Sequence, residues 1–385
     1  MLALKLLFRN AFRHRLRTAL TVAAVAIAVL AFGLLRTVLD AWYAGVEASS
    51  ATRLVTRNAI SLIFPLPLAY DAKLRQIDGI DEVTYGSWFG GIYIDEKNFF
   101  ANFAVEPRTY LDIYPEYIVP DTQKTAFLRE RNACVAGRKL AARYGWRLGD
   151  TITLKGTIFP GDWELVLRGI YRGRDRSTDE TAFFFHWAYV NESLRRTAPA
   201  RADQVGFYIF RVHRPDRAAE VARSVDRAFK NSLAETLTET ERAFVMGFIT
   251  MTEAIVAALR LVSLAVIAII MVVAANTMAM TARERIGEHA VLKTLGFGAL
   301  HVGGLIFGES LVLSAAGGVL GILLTFPAAR FFELTLSQFF PVFHVTARTV
   351  GLDLGAIALV GVVAGLVPTW HAVHVSVAAG LRRIG

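Results

Sequence analysis

Few residues of this 385-residue chain stand in patterns that do covalent chemistry. No GxxxxGK[ST] stretch is present to cradle a nucleotide phosphate, and there is no HExxH and no paired cysteine. ATP hydrolysis and the common zinc chemistries therefore have no candidate site in the chain, and no catalytic, cofactor or metal residues are assigned. The one cysteine, Cys134, excludes an intramolecular disulfide. His371 and His374 stand three apart on what would be one helix face, but no third ligand lies nearby in sequence. They read as an interfacial pair. The polar residues that stand out are Asn276 and Glu309, each embedded in apolar sequence. An acidic group at the middle of a membrane span costs about 2.5–3.5 kcal/mol on insertion scales, so Glu309 should face protein rather than lipid. Two readings remain for it: a contact that rearranges during a working cycle, or a static pair between helices. Asn276 is expected to hydrogen-bond across helices. The other feature is the charged segment Arg283–Phe297, RERIGEHAVLKTLGF. It is short, reads as helical and is fixed between two apolar runs. Arg283 and Glu288 should be exposed, while Ile286, Ala290, Val291 and Leu292 offer apolar contacts. Such an element can transmit a push from a soluble partner.

The elements that must position these residues are long and apolar. The composition is 54% hydrophobic and the mean hydropathy is +0.42, which points to membrane spans. Four stretches lack Asp, Glu, Lys and Arg: residues 18–35, 261–282, 310–329 and 354–379. About 20 helical residues cover the roughly 30 Å hydrocarbon core. The formal net charge is +9, yet residues 40–253 hold as many acidic as basic side chains, so the excess sits beside the apolar runs. A nucleic-acid binder would carry it on its folded domain, and no nucleic-acid partner is expected. The short segments flanking the spans hold ten Lys/Arg on one side (five before residue 18, then Arg283, Arg285, Lys293, Arg382 and Arg383) and two on the other, Arg330 and Arg348. The positive-inside rule then places both termini in the cytoplasm.

The expected organisation is a cytoplasmic amphipathic helix lying on membrane lipids over residues 1–17 and a first span over 18–40. An extracytoplasmic α+β domain with stalk helices follows over 41–253. A second span occupies 254–282, a cytoplasmic coupling loop 283–299, and a third span 300–330. An extracytoplasmic loop over 331–352, a fourth span over 353–376 and a cytoplasmic tail over 377–385 complete it. Within the outer domain, strands are expected over 83–94, 99–105, 151–158, 163–171, 183–190 and 205–212. Helices are expected near 74–77, over 138–146 and over 215–230, and a middle lobe over 122–191 should be richer in strand. Residues 41–53 and 235–260 read as helices running out of the spans as a stiff stalk. Gly317, Gly318 and Gly321 give the third span a flat face for close helix packing, within the chain or against a second copy.

Taken together, these stretches resemble the FtsX-like permease family of ABC transporters, of the MacB and lipoprotein-release type. The family's coupling segment has the form RERxxEIxxLRxLGx. Arg283, Glu284, Arg285, Glu288, Leu292, Lys293, Leu295 and Gly296 fit it, while His289 stands where the family has an aliphatic residue. FGESLVLSAAGGVLG from Phe307, VPTWHAVHVSVAAGLRR from Val367 (with Thr369 in place of Ala) and FRNAFRHRLRTALT from Phe8 resemble the family's membrane ends. AGRKLAARYGWRLGDTITL from Ala136 is similar to a stretch of its periplasmic core. The resemblance implies a membrane protein of one plus three transmembrane α-helices, with a MacB-like periplasmic core domain inserted between the first and second. It implies a permease subunit of the bacterial inner membrane, partnered by a separate cytoplasmic ABC ATPase that binds the ATP and Mg. A second permease copy, in a homo- or heterodimer, completes the complex, and a periplasmic adaptor is a further candidate partner. Arg283, Glu284, Arg285, Glu288, Leu292, Lys293 and Gly296 become the ATPase-coupling residues, and replacing Leu292 and Gly296 with Asp should uncouple. The function implied is mechanotransmission, meaning export or extraction work on a substrate outside. The alternatives are a regulator of a periplasmic cell-wall enzyme and a membrane-anchored sensor.

Overall fold

The computed structural model describes residues 15–336, 340 and 342–374. The expected amphipathic segment before residue 15 and the tail after 374 lie outside them. Four helices are long and apolar enough to cross a membrane, one near the N-terminus and three in the C-terminal part. Between the first and second lies a mixed α/β domain, and the chain divides into a helical unit and this inserted unit, Trp42–Thr252. The chain is a membrane protein of the one-plus-three kind.

The first helix, α1, runs Arg15–Ala48. The inserted domain then gives β1 (Arg53–Asn58), β2 (Leu66–Pro67), α2 (Tyr70–Leu74), β3 (Ile80–Trp88), β4 (Ile92–Tyr93), β5 (Asn102–Val105), α3 (Pro107–Ile113), β6 (Tyr117–Ile118), α4 (Asp121–Arg129), β7 (Ala133–Gly137), α5 (Arg138–Tyr144), β8 (Thr151–Gly156), β9 (Gly161–Gly173), β10 (Phe183–His186), α6 (Trp187–Thr197), β11 (Gln204–Val205), β12 (Phe207–Val212), α7 (Ala218–Ala228), β13 (Thr236–Thr240) and α8 (Glu241–Met251). The helical unit resumes with α9 (Glu253–Glu284), α10 (Ile286–Thr294), α11 (Ala299–Leu336) and α12 (Ala347–His374).

One sheet organises the inserted domain, in the order β13-β1-β12-β3-β5-β10-β7-β9-β8-β4. Its strands are short and apolar on alternate sides, so it is covered on both faces. Phe183, Phe185, Leu54, Cys134, Ala136, Tyr208 and Phe210 point to the face covered by α2, α5, α6 and α7. Their chain neighbours Phe184, Val55, Val135 and Ile209 point to the face covered by α3 and α4. Phe89, Phe183, Phe184 and Phe185 are fully buried, each worth about 1.5–3 kcal/mol of burial. The central pairs β5–β10 and β7–β9 are parallel and the others antiparallel.

Several expectations are corrected here. The run 183–190 is strand only to His186; Trp187–Thr197 is a helix with Trp187, Val190 and Leu194 buried on one side. The middle lobe is not separate, since β7, β9 and β10 belong to the common sheet. The stalk is also shorter than expected. α1 stops at Ala48. Residues 236–240 form a strand, because Thr236, Thr238 and Thr240 alternate with a period of two and the segment pairs with β1. Thr238 Oγ1 lies 2.8 Å from Thr56 Oγ1 across that ladder. The helix that follows is broken at Thr252, whose Oγ1 accepts from Trp42 Nε1 at 3.0 Å.

The helical unit packs through small residues. A Cβ on Gly317 would come within 2.8 Å of Val22 O, and one on Gly321 within 2.7 Å of Ala26 O, so α11 lies directly on the backbone of α1. A Cβ on Gly318 would lie 2.3 Å from Ile357 of α12. The glycine face is thus consumed within the chain. Ser310 Oγ donates to Gly361 O at 2.9 Å, another close approach of α11 and α12.

Candidate functional site

The charged segment folds as a separate short helix between α9 and α11. α10 begins after Arg285, where the backbone leaves the helical region (φ −101°, ψ 12°). Glu288 in its first turn complements the positive end of the helix dipole, and Lys293 in its last turn the negative end. At the C-terminal end, Gly296 N donates to Lys293 O and Phe297 N to Leu292 O, both at 3.1 Å. Gly296 has φ +93°. These are the two bonds of a Schellman cap, and the left-handed residue it requires is a glycine.

Three contacts fix α10 to the bundle. Arg285 Nη1 meets Glu309 Oε2 at 3.0 Å, and its Nε meets Glu288 Oε2 at 2.9 Å. The Arg285 and Glu309 side chains are 13% and 10% exposed, so this is a shielded pair between the start of α10 and α11. Glu309 therefore makes an interhelical pair with Arg285. Leu292 packs against Val302 and Ile306 of α11. Lys293 Nζ donates to Val373 O near the end of α12 at 3.1 Å. Glu284, the last residue of α9, binds Arg17 of α1 through both oxygens, at 2.5 and 2.9 Å. Arg283 is exposed.

Beside the exposed Arg283 and Glu288, apolar side chains also face outward. Val291, Leu295, Phe297 and Leu300 are exposed, Leu295 at 70%. Ala290 is buried and Leu292 turned inward. The expected contact set therefore shifts to the next positions along the segment. Leu292 and Gly296 hold α10 in shape, so Asp at either would disturb the bundle as well as any docking. Sequence reasoning passed over Leu295 and Phe297 as surface residues because their side of the helix end is set by the cap.

Among the described residues Asn276 makes no hydrogen bond to another helix. It is exposed on the surface of α9 and has no hydrogen-bond partner among the described residues. α9 is the least enclosed of the four long helices, which leaves that face turned away from the bundle. His374 Nδ1 contacts Trp370 O of its own helix at 2.8 Å, and His371 is exposed; no metal-binding group was found among the described residues.

The inserted domain carries a second constellation, at the point where the chain enters and leaves it. Arg53 is buried at the start of β1. Its Nε donates to Glu241 Oε2 at 2.9 Å, and its two terminal nitrogens grip Glu116 at 3.0 and 2.6 Å. The guanidinium stands 4.3 Å over the Tyr114 ring. Glu241, first residue of α8, also accepts from Ser50 N at 2.7 Å and Tyr114 Oη at 3.1 Å. One carboxylate thereby ties the residue just after α1, the first strand and the first turn of α8. Burial works against the charge of the Arg53 guanidinium, but Glu241 and Glu116 beside it outweigh that and hold it more firmly charged than usual, while burial pushes the Tyr114 phenol well up. No sequence signal marks this cluster, because its members lie up to 191 positions apart.

Comparison with known proteins agrees with the helical unit. The model of the FtsX-like permease C-terminal family matches residues 260–377. An uncharacterized ABC transporter permease of Methanocaldococcus jannaschii is 25% identical over 277 residues, 68% of this chain. The chain spans 64% of that relative's length. The extracellular domain of the noncanonic ABC-type transporter YknZ from Gram-positive bacteria aligns over 49% of this chain and all of its own, at 11% identity and TM-score 0.36. A domain of a putative permease protein of Porphyromonas gingivalis aligns over 49% of this chain and 90% of its own, at 14% identity and TM-score 0.33. The chain is thus similar to an ABC transporter permease, and its residues 260–377 match the model of the FtsX-like permease C-terminal family.

Proposed function

We propose that this chain is the membrane subunit of an ATP-driven machine in which a separate cytoplasmic ATPase, carrying the ATP and Mg, acts on α10. The inserted domain then lies outside the inner membrane of a bacterium, with both chain termini inside. A second permease copy completes the complex, and the work is mechanical: export, extraction or displacement of a partner in the outer compartment. A periplasmic adaptor is one such partner.

The observation that carries this reading is α10. It is fastened to α11 and α12 at Arg285, Leu292 and Lys293, yet it offers Val291, Leu295 and Phe297 to the outside. A helix fastened to the bundle on one side and offering apolar side chains on the other suits a surface that is pushed. The ten-to-two balance of Lys/Arg in the flanking segments supports the orientation.

Two experiments test it. Leu295→Asp with Phe297→Asp should lower the permease-dependent stimulation of the co-purified ATPase about tenfold or more, the size of a lost interface hot spot, at unchanged membrane yield. Full stimulation by the double variant refutes the coupling role. For orientation, Leu233→Cys is the reporter, since Leu233 is 95% exposed in the inserted domain. An impermeant maleimide should label it in intact cells, and labelling only after the membrane is opened refutes the orientation. Cys134 will not interfere: it is buried, and burial pushes its thiol well above the ordinary range.

A further inference from the structure

The seam between α1 and α12 carries polar side chains at two successive turns. At the first, Asp40 Oδ2 accepts from Thr346 Oγ1 and Thr349 Oγ1, each at 2.7 Å. Four residues along each helix, Arg36 and Asp353 take their place. Asp353 is fully buried, and neither Oδ1 nor Oδ2 has a hydrogen-bond partner. Arg36 Nε is buried and unpartnered as well. The carboxylate reaches into a notch that exists because residue 33 is glycine: a Cβ there would stand 2.9 Å from Asp353 Oδ2 and 3.1 Å from Thr325 Oγ1. Thr325 has no hydrogen to give, since its hydroxyl already donates to Gly321 O at 2.9 Å.

A fully buried carboxylate thus lies in the field of a half-buried guanidinium without a hydrogen bond to it. An ionised carboxylate stripped of water and left without a donor costs several kcal/mol. Asp40, one turn away, shows how the same seam satisfies a carboxylate when donors are supplied. A metal cation is a poor occupant of the Asp353 notch, because a hard cation takes six or so oxygens and Arg36 repels it. An organic group is excluded by the burial of both oxygens. A proton needs no room: it removes the charge and gives the group a donor of its own.

We propose that Asp353 is a proton-binding site inside the helix bundle, governed by Arg36. In the arrangement described, COO⁻ has taken up H⁺ from water to become COOH. When the helices bring Arg36 onto Asp353, the O–H bond breaks, the proton returns to water, and the carboxylate pairs with the guanidinium. Asp40 is the other titratable group on the seam, and its Oδ2 is held by two hydroxyls. Thr325 of α11 and Thr349 of α12 do not titrate. This site does not depend on the role given to α10, and it is read in the isolated permease.

The test is infrared spectroscopy of the full chain in lipid nanodiscs, titrated with acid and base in H₂O and D₂O. A protonated carboxyl stretch that shifts in D₂O and is lost in Asp353→Asn is expected. Asn imitates the neutral group in shape, so the variant keeps its fold. In Arg36→Gln the same band should persist to higher pH, since the charge that favours the anion is gone. Gly33→Ala, whose Cβ presses on Oδ2, should shift the band without removing it. Carboxyl bands identical in wild type and Asp353→Asn at every pH, an unmoved titration in Arg36→Gln, or an unshifted band in Gly33→Ala each overturn the proposal.

Discussion

Replacing Arg53 with Met is the sharpest perturbation of the inserted domain. The substitution keeps an unbranched apolar stem over Tyr114 and removes a guanidinium that makes three ionic hydrogen bonds to two carboxylates. The Arg53 side chain is 7% exposed and that of Glu241 11%, so solvent screening is weak there; Glu116, at 20%, is better solvated. Breaking a buried ion pair by removing one member costs about 3–5 kcal/mol, most of it the isolation of the partner's charge. With Glu116 partly wet, about 3 kcal/mol is the expected loss. For a unit of this size that lowers Tm by about 6–12 °C. The assay is thermal unfolding of the purified full chain followed by tryptophan fluorescence, with hydrogen exchange over β1, β13 and α8. The triple variant Arg53→Met, Glu116→Gln, Glu241→Gln removes the stranded charges and should regain about 1–2 kcal/mol of the loss. A triple variant less stable than Arg53→Met alone, or a single variant that melts with the wild type, refutes the reasoning.

Other predictions concern different parts of the molecule. Gly318→Val forces a side chain into Ile357, so the purified protein should lose about 1–3 kcal/mol by overpacking; a wild-type melt in detergent counts against the α11–α12 contact described above. His186 is buried, with Nε2 2.7 Å from Phe127 O, and burial holds its pKa below the ordinary value. The unfolded chain therefore binds the extra proton first. Stability contributed by neutral His186 is complete above about pH 6.5 and is lost as pH falls from there through the lower folded value, by at most about 1.4 kcal/mol per pH unit. Melts of wild type and His186→Phe between pH 7 and 5 should converge in slope only if another group dominates.

Much of the helical unit was legible because lipid allows few solutions. Uncharged runs long enough to span had to be helices, and the glycines at 317, 318 and 321 had to be at a close contact. What escaped was polar sequence just past the ends of those runs. Arg36 and Asp353 bound the charge-free stretches 18–35 and 354–379 and so read as their limits, whereas the helices continue through them. In the inserted domain, alternation revealed strands such as β9 and β12, but Thr236–Thr240 was hidden by its helical continuation and Trp187–Thr197 by an aromatic run with strand-like composition. Asn276 misled because a polar residue in a span suggests a partner, and tertiary packing turned it outward. The coupling segment's position was readable; which of its faces is free depended on the Schellman cap and on Leu292.

The first and last strands of the inserted domain, β1 and β13, are hydrogen-bonded neighbours, Leu54 opposite Thr240 and Asn58 opposite Thr236. Both seams of the insertion therefore open at a single border of the fold. A segment built this way behaves as a cassette: it can be lifted out or exchanged for another of different length without rethreading the polypeptide. A lineage of such proteins can keep one membrane base while changing the tool it carries.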